Sequence, residues 1–381
     1  MPSNLAHMLI CHKAIEKLRG KGAGAYSDFA DRLDDSKGEA RLKPYLNLGS
    51  VGPDLFYYGR LVQGLRDLAI DSAGRAAGVE PFSYHLHSVR PNAFPLKLVE
   101  ITFRDIDRGS LGRGEAPAHQ DLARLAFVAG YLTHVAADQI IHPRVNALAG
   151  PYYRDGRNRE KHRECEVFQD YFLYRELYGL APDEGPKFDF FSQRFNDWPD
   201  CRKGLSFRNT EDWFRYFLQR GFAESYGLFP DEALIEDSVD NLLLALRACT
   251  VAGPYRKAAE GYGDDQPAYQ EYVQRFEYLR WYREAVELAV VYLLALFELY
   301  ASLVDGHAFG DPERARFLQV VSGEDLSCPL ADDILDRAKA ALLAGPLKLS
   351  GRDLGPLLRR INLWSQSDIA NTTDKEALIK R

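Results

Sequence analysis

Residues 127–142 read FVAGYLTHVAADQIIH, and they govern how the rest of the chain is interpreted. The apolar residues have the spacing of a buried helix, but His134, Asp138 and His142 interrupt them at i, i+4 and i+8. At about 3.6 residues per turn, the three side chains fall within about 80° of one another. Polar groups are costly to bury unless they are paired or coordinated. This face therefore predicts a set of metal ligands.

A purely structural interpretation of the same stretch stays open. His134 and Asp138 would then form one ion pair along the helix, and His142 would cap its end. Pro143 predicts that the helix ends there, because proline has no N–H to donate and restricts the residue before it.

A second helix repeats the pattern, with His162, Glu166 and Asp170 again at i, i+4 and i+8. Two such faces in one chain argue against coincidence. The preceding loop and the start of this helix carry five basic residues, which are Arg154, Arg157, Arg159, Lys161 and Arg163. One of them could stabilise a negatively charged leaving group, although a solvated loop is the simpler interpretation.

The composition is that of an ordinary globular protein, with 381 residues of which 46% are hydrophobic and 27% charged. The net charge of −7 argues against general nucleic-acid binding, which usually needs a basic surface. The five cysteines form no CxxC pair, so the sequence predicts neither a disulfide framework nor a thiolate zinc site. We expect reduced thiols.

Two sequence features concern membranes and export. Residues 1–20 carry a histidine and several charges, which leaves no room for the apolar core of a signal peptide. The most apolar run, at 288–297, is too short to cross a bilayer, which needs about 20 residues. The sequence therefore predicts a cytoplasmic protein with no transmembrane segment.

The pattern of the whole chain predicts an all-α fold. Long helices are readable at 231–252 and 267–305, and neither an alternating strand pattern nor an internal repeat is found. We predict one helical domain over residues 1–305, followed by a C-terminal helical extension and a polar tail over 306–381.

The stretch LGSVGPDLFYYG at 48–59 predicts a turn, because its glycines and Pro53 interrupt regular structure. Asp54 lies in that turn. Two interpretations are equally open: Asp54 caps a helix, or it projects a carboxylate into a functional site.

Ionisable residues on apolar elements or tight turns form a larger set that contains seven of the nine histidines: His7, His12, Asp54, His85, His87, His134, Asp138, His142, His162, Glu166 and Asp170. Nitrogen and carboxylate ligands without thiolates, in a number greater than one zinc uses, indicate a catalytic multi-zinc cluster placed between helices. Motifs such as GxxxxGK[ST], GxSxG and HExxH are missing from the sequence. Hydrolytic metal chemistry is the class that remains.

The order of these motifs resembles the zinc-dependent phospholipase C family. In chain order, the motifs are His7, Pro-Asp at 53–54, a histidine near 85, HxxxDxxxH at 134–142 and HxxxE at 162–166. Within that resemblance, the motifs are most similar to the catalytic domain of glycosylphosphatidylinositol-specific phospholipase D, and more distantly to single-strand-specific fungal nucleases. The motifs cover about the first 175 residues, and the helical pattern extends the similarity to about 305.

The resemblance implies the metal ligands residue by residue. Asp54, one of His85 or His87, His134 and Asp138 would hold a first zinc. His142, His162 and Glu166 would hold a second, and Asp138 with His7 would face a third. The third zinc stays open, because in secreted members the mature N-terminal residue binds it, and this chain shows no cleavage site.

Two further residues have supporting roles in this interpretation. His12 lies about 140° round the helix from His7, so we expect it to support the ligands or to pack. Asp170 lies one turn beyond Glu166, and we expect it to accept a hydrogen bond that orients an imidazole.

The function implied by the resemblance is zinc-dependent hydrolysis of a phosphodiester bond, in a phospholipid or another lipid phosphodiester, with peripheral membrane contact. Asp54 would orient or deprotonate the attacking water. Two alternatives stay open, which are a nuclease or phosphomonoesterase with the same metal core and a relative that binds metal or membrane without turnover.

Overall fold

The computed structural model describes residues 4–19, 25–34, 42–59, 81–108, 118–152, 154–178, 212–252, 267–307, 309–322 and 333–344. These residues form thirteen α-helices and one 3-10 helix, and none of them lies in a β-strand. The predicted all-α fold is confirmed.

The α-helices, numbered along the chain, are α1 (Asn4–Leu18), α2 (Ala25–Asp34), α3 (Lys43–Ser50), α4 (Pro81–Ser88), α5 (Ala93–Arg108), α6 (His119–Ala149), α7 (Gly156–Tyr178), α8 (Asp212–Tyr226), α9 (Glu232–Ala252), α10 (Pro267–Phe276), α11 (Tyr278–Val304), α12 (Asp311–Val320) and α13 (Ile334–Leu343). The 3-10 helix, Gly52–Tyr58, lies between α3 and α4.

Helix α6 is the centre of the fold, and α1, α3, α5, α7 and α11 pack around it. Residues 125–141 are all buried, including the polar ones. A helix that is buried on every side needs neighbours on every side, which explains why apolar residues surround the histidines in this part of the sequence. The predicted buried helix is therefore present.

The backbones of α3 and α6 touch where they cross. A Cβ added at Gly130 would lie 2.1 Å from the carbonyl oxygen of Leu46, and one at Gly49 would lie 2.0 Å from that of Phe127. Any side chain at either position would separate the helices. The two glycines thus bring the C-terminal end of α3 against the middle of α6.

The prediction that Pro143 ends its helix is wrong, because α6 continues through Pro143 to Ala149. Proline removes a single backbone donor, and its fixed φ is compatible with a helix. Val145 and Ala149 are buried beyond it, and this packing stabilises the continued helix. The helix ends at Gly150, whose φ of 83° is accessible to glycine.

Two other predictions of local structure need correction. Residues 48–59 form the end of α3 and the 3-10 helix rather than a plain turn. The single long helix predicted over 267–305 is two helices, because Glu277 between α10 and α11 has a left-handed φ of 43°.

Helix α11 is the one described helix that is long and apolar enough to span a membrane, with a mean hydropathy of 1.8 over 18 residues. Of that window, 94% is buried inside the protein. The helix packs on α6 and α1, as a core helix does.

The described part of the C-terminal extension packs on the same core. Phe317, Val320, Ile334 and Leu342 are buried with residues of the main body, and α12 and α13 both contact α11. The division of the chain after residue 305 stays a prediction.

Candidate metal centre

Asp138 lies at the centre of the site and is 1% exposed. Its Oδ1 is 3.4 Å from Nε2 of His7 and 3.2 Å from Nε2 of His142. Its Oδ2 is 3.1 Å from Nε2 of His134 and 3.5 Å from Nε2 of His87. Helices α1, α4 and α6 thus bring four imidazoles to one carboxylate. A single ion pair along α6 does not describe this arrangement.

The 3-10 helix places Asp54 beside two of these imidazoles. Oδ1 of Asp54 is 3.1 Å from Nε2 of His87, and Oδ2 is 3.7 Å from Nε2 of His134. Neither oxygen of Asp54 has a hydrogen-bond partner, and the residue is fully buried. A helix cap would accept a bond from a backbone N–H, so the capping interpretation of Asp54 is wrong.

The second group joins α6 to α7. Donor atoms of His142, His162 and Glu166 all lie within 4.8 Å of one another. Nδ1 of His162 is 3.0 Å from Oε1 of Glu166, its neighbour one turn along α7. His142 is the link to the first group, because its ring also reaches Asp138.

The donor atoms fit bound cations. The described residues contain three groups whose donors lie within 4.8 Å of one another: His7 with His134 and Asp138; Asp54 with His87 and His134; and His142 with His162 and Glu166. Ligands held about 2 Å from a tetrahedral zinc would be separated by about 3.3 Å, close to the distances between these donors.

Several buried atoms of these residues have no hydrogen-bond partner, which supports the same conclusion. They include both carboxylate oxygens of Asp54, Oδ1 of Asp138 and both ring nitrogens of His162. Each unpaired buried polar atom costs about 1–3 kcal/mol. Nitrogen and oxygen donors in such numbers suit zinc, which would satisfy them together.

Backbone carbonyls orient two of the imidazoles. Nδ1 of His134 donates to the carbonyl oxygen of Ser50 at 2.9 Å, and Nδ1 of His87 donates to that of Ser83 at 2.7 Å. A carbonyl only accepts, so each Nδ1 carries a proton, and Nε2 is the ring nitrogen that is directed at the carboxylates and that a metal ion would bind. Sequence reasoning missed both serines, because their backbone atoms act and no side-chain pattern marks them.

The pKa values of several groups in the site differ strongly from their ordinary values. Burial lowers the pKa of His7 well below its ordinary value. Burial alone would raise the pKa of Asp138, but the surrounding imidazoles, His142 first, hold it well below its usual range. Burial also opposes a charge on His87, yet Asp54 and then Asp138 raise its pKa to about 9. Asp138 is therefore an ionised carboxylate, as a cation ligand must be.

Of His85 and His87, the structure brings His87 to the centre. Residues two apart on a helix point about 200° apart, so the two rings cannot share one site. The His85 ring lies 5.4 Å from the ring of Tyr226 instead, and packs against α8.

The two residues with predicted supporting roles contact neighbouring helices. Nε2 of His12 lies 2.7 Å from Oδ1 of Asn47 on α3, and His12 belongs to none of the three donor groups. Asp170 accepts a hydrogen bond from the backbone N–H of Ala6 at 3.1 Å, where we expected an imidazole donor. This bond holds α1 against α7 beside His7.

A cavity between α1, α6 and α7 reaches the centre. It is lined by Ala6, His7, Ile10, Asp138, Ile141, His142, Glu166 and Gln169. The side chain of His142 is 16% exposed, whereas that of Asp138 is 1% exposed. His142 is thus the most exposed of the proposed ligands.

The chain was compared with protein families, curated proteins and solved structures. A family model described as zinc dependent phospholipase C matches residues 6–225. That span contains every residue of the three donor groups. No curated protein and no solved structure matches the chain significantly.

Proposed function

Because the chain belongs to the zinc-dependent phospholipase C family, we propose that it hydrolyses a phosphodiester bond of a lipid at the centre built around Asp138. The observation that carries this proposal is the juxtaposition of three donor groups in one buried cluster that opens to a cavity. A closed structural zinc site needs four ligands, and this cluster offers more.

The donor groups indicate which residues would hold zinc. Asp54, His87 and His134 would hold one ion, and His142, His162 and Glu166 a second. Asp138 lies between the two groups and contacts imidazoles of both. His7 would complete a third set with His134 and Asp138. Bound zinc would supply positive charge for the phosphate oxygens and would lower the pKa of a water molecule.

The side chains of the protein orient the reaction. Asp54 is held in a short helix with both carboxylate oxygens available, which suits a group that orients the attacking water and takes its proton. His87 and His134 are fixed by backbone carbonyls, so the site needs little rearrangement before it acts.

A substrate panel tests the proposal. The full chain would be reconstituted with zinc and assayed against phosphatidylcholine vesicles, single-stranded DNA and p-nitrophenyl phosphate. We expect hydrolysis of the lipid with release of diacylglycerol, loss of activity with a chelator, and recovery with zinc. We also expect at least two zinc ions per chain.

The other possible results of this substrate panel would change or contradict the proposed function. Phosphatidic acid as the product would indicate cleavage on the other side of the phosphate. Hydrolysis confined to DNA or to the monoester would replace the lipid by that substrate class. A zinc-loaded protein that hydrolyses none of them would contradict the proposed function.

A further inference from the structure

Among the described residues that line the cavity between α1, α6 and α7, Gln169 is the one that is neither apolar nor a proposed metal ligand. Its side chain is buried, with 2% of the residue exposed. Its amide nitrogen, Nε2, has no hydrogen-bond partner among the described residues. Buried amide groups are nearly always hydrogen-bonded, so a donor left unpaired beside a cavity indicates a ligand that enters there.

The position of Gln169 on α7 places it on the ligand face of that helix. Seven residues correspond to about 700°, so Gln169 lies about 20° from His162 and about 60° from Glu166 on the helix surface. The amide therefore continues the row of proposed ligands along α7 and faces the same side.

The walls of the cavity hold Gln169 in place. Its neighbour Asp170 accepts a hydrogen bond from the backbone N–H of Ala6 at 3.1 Å, which joins α7 to α1. Its other neighbour, Phe168, packs on α10, where its ring centroid lies 5.4 Å from that of Tyr269 and 5.6 Å from that of Tyr272. The segment that carries the amide is thus fixed before any ligand binds, which reduces the cost of binding.

The amide also lies near the hydroxyl of Tyr272. Burial raises the pKa of this phenol, and the Gln169 amide lowers it. An –NH2 group carries two hydrogens, so an interaction of one with Tyr272 leaves the other for a ligand in the cavity.

The chemistry of an N–H group limits what that ligand is. The other polar lining residues are His7, Asp138, His142 and Glu166, which would bind cations through nitrogen and oxygen lone pairs. The N–H of an amide carries partial positive charge and cannot bind a cation. It suits an oxygen that already bears negative charge, and hydrogen bonds to such oxygens are stronger than those between neutral groups.

We propose that Nε2 of Gln169 donates a hydrogen bond to a phosphate oxygen of the substrate, on the side of the cavity formed by α7. This inference rests on the proposed function, because a phosphodiester bound to the cations of the centre would supply such an oxygen. Gln169 would then be a substrate-binding residue that holds no metal.

The test measures phosphate binding rather than turnover. Inorganic phosphate and dimethyl phosphate, which is a diester, would each be titrated calorimetrically into the zinc-loaded full chain and its variants. Gln169→Met keeps the length of the side chain and removes the donor, so it should weaken binding of both anions on the order of 10- to 100-fold. Gln319→Met is the matched control, because Gln319 is an exposed residue of α12 that does not line the cavity. It should bind both anions like the unmodified protein.

Gln169→Asn is the second variant, and it keeps a polar amide but withdraws the donor by one methylene group. It should also weaken binding, and it decides the test if Gln169→Met does not fold. Circular dichroism and zinc content would be measured for every variant.

Three results would overturn the inference. The first is equal affinity for both anions in the folded Gln169 variants and in Gln319→Met. The second is a loss confined to inorganic phosphate, since a diester substrate would then not contact the amide. The third is loss of zinc from both Gln169 variants, which would show that the amide supports the metal ligands instead.

Failure of the proposed function would be recognised separately. A protein that binds dimethyl phosphate through Gln169 but hydrolyses no lipid would contradict the proposed function and leave this inference standing. Lipid hydrolysis by the unmodified protein, together with unchanged anion affinity in Gln169→Met, would overturn this inference alone.

Discussion

At the residue scale, the proposed chemistry of the centre depends on Asp54. It is fully buried, yet its two carboxylate oxygens have no hydrogen-bond partner, and they face His87 and His134 at 3.1 and 3.7 Å. A buried carboxylate in such a position is stable only with positive charge beside it. We therefore assign to Asp54 both cation binding and the orientation of water.

We expect Asp54→Asn to lower turnover of a lipid phosphodiester by at least about 100-fold, because the amide keeps the shape but cannot take a proton. The His142, His162 and Glu166 group does not include Asp54, so at least one zinc should remain bound. Activity with zinc in excess and metal content per chain would be measured together.

The matched control is His12→Ala, because His12 contacts Asn47 outside the donor groups. We expect this variant to keep most of its turnover. Full activity in Asp54→Asn would show that the carboxylate is dispensable and would remove its catalytic assignment.

At the element scale, the crossing of α3 and α6 builds the first donor group. The contact between Gly49, Gly130 and the opposing backbone brings the Ser50 carbonyl within 2.9 Å of the His134 ring. The ring orientation of a proposed ligand thus depends on the absence of side chains at the crossing.

Gly130→Ala should destabilise the protein by at least about 2 kcal/mol, because its Cβ would meet the backbone oxygen of Leu46, which cannot move aside alone. We also expect weaker zinc binding, since Ser50 would be displaced from His134. Gly156→Ala is the control, because the nearest atom to its Cβ is 3.9 Å away on a flexible arginine. Urea unfolding in saturating zinc compares the two, and equal midpoints would show that the crossing tolerates a side chain.

At the scale of the whole molecule, the C-terminal extension is joined to the body by buried polar contacts. Nε of Arg316 donates to Glu298 of α11 at 3.2 Å, and its other nitrogens donate to the carbonyls of Ala341 and Leu342 at the end of α13. A second contact reaches helix α6, where Gln139, next to Asp138, donates to the carbonyl of Ser322 at 3.0 Å.

The Glu298 contact predicts a pH dependence of stability. Burial raises the pKa of Glu298 from 4.5 to about 7, although Arg316 lowers it. As pH rises from 4.5 towards 7, the unfolded chain releases this proton before the folded protein does, so the free energy of unfolding falls. Above a pH of about 7, the free energy of unfolding has fallen by its full amount, on the order of 3 kcal/mol, and this contribution no longer changes with pH.

Glu298→Gln should abolish this dependence, because the amide still accepts the Arg316 hydrogen bond and does not titrate. Chemical unfolding of both proteins between pH 4.5 and 8 would measure the pH dependence of the free energy of unfolding. The variant should become more stable relative to the original protein as pH rises. Curves that stay parallel over this range would show that Glu298 is already ionised at low pH in the folded protein.

Local periodicity was enough to predict much of this protein. The spacing at 127–142 and 162–170 predicts two helices, their buried faces and the histidines and carboxylates on them, because the geometry of a helix depends on neighbours three and four residues away. The all-α class follows from the same kind of information. The family match over 6–225 agrees with the order of the motifs.

The remaining features depend on contacts between distant segments, which no local spacing encodes. The packing of α4 directs His87 rather than His85 to the centre, and burial of Val145 and Ala149 carries α6 past Pro143. The Ser50 carbonyl reaches His134 across 84 residues only because two glycines let their helices touch. Sequence periodicity determines which side chains share a helix face. The distance between two such faces is set by the close packing of whole helices, and this packing exists only in the folded chain.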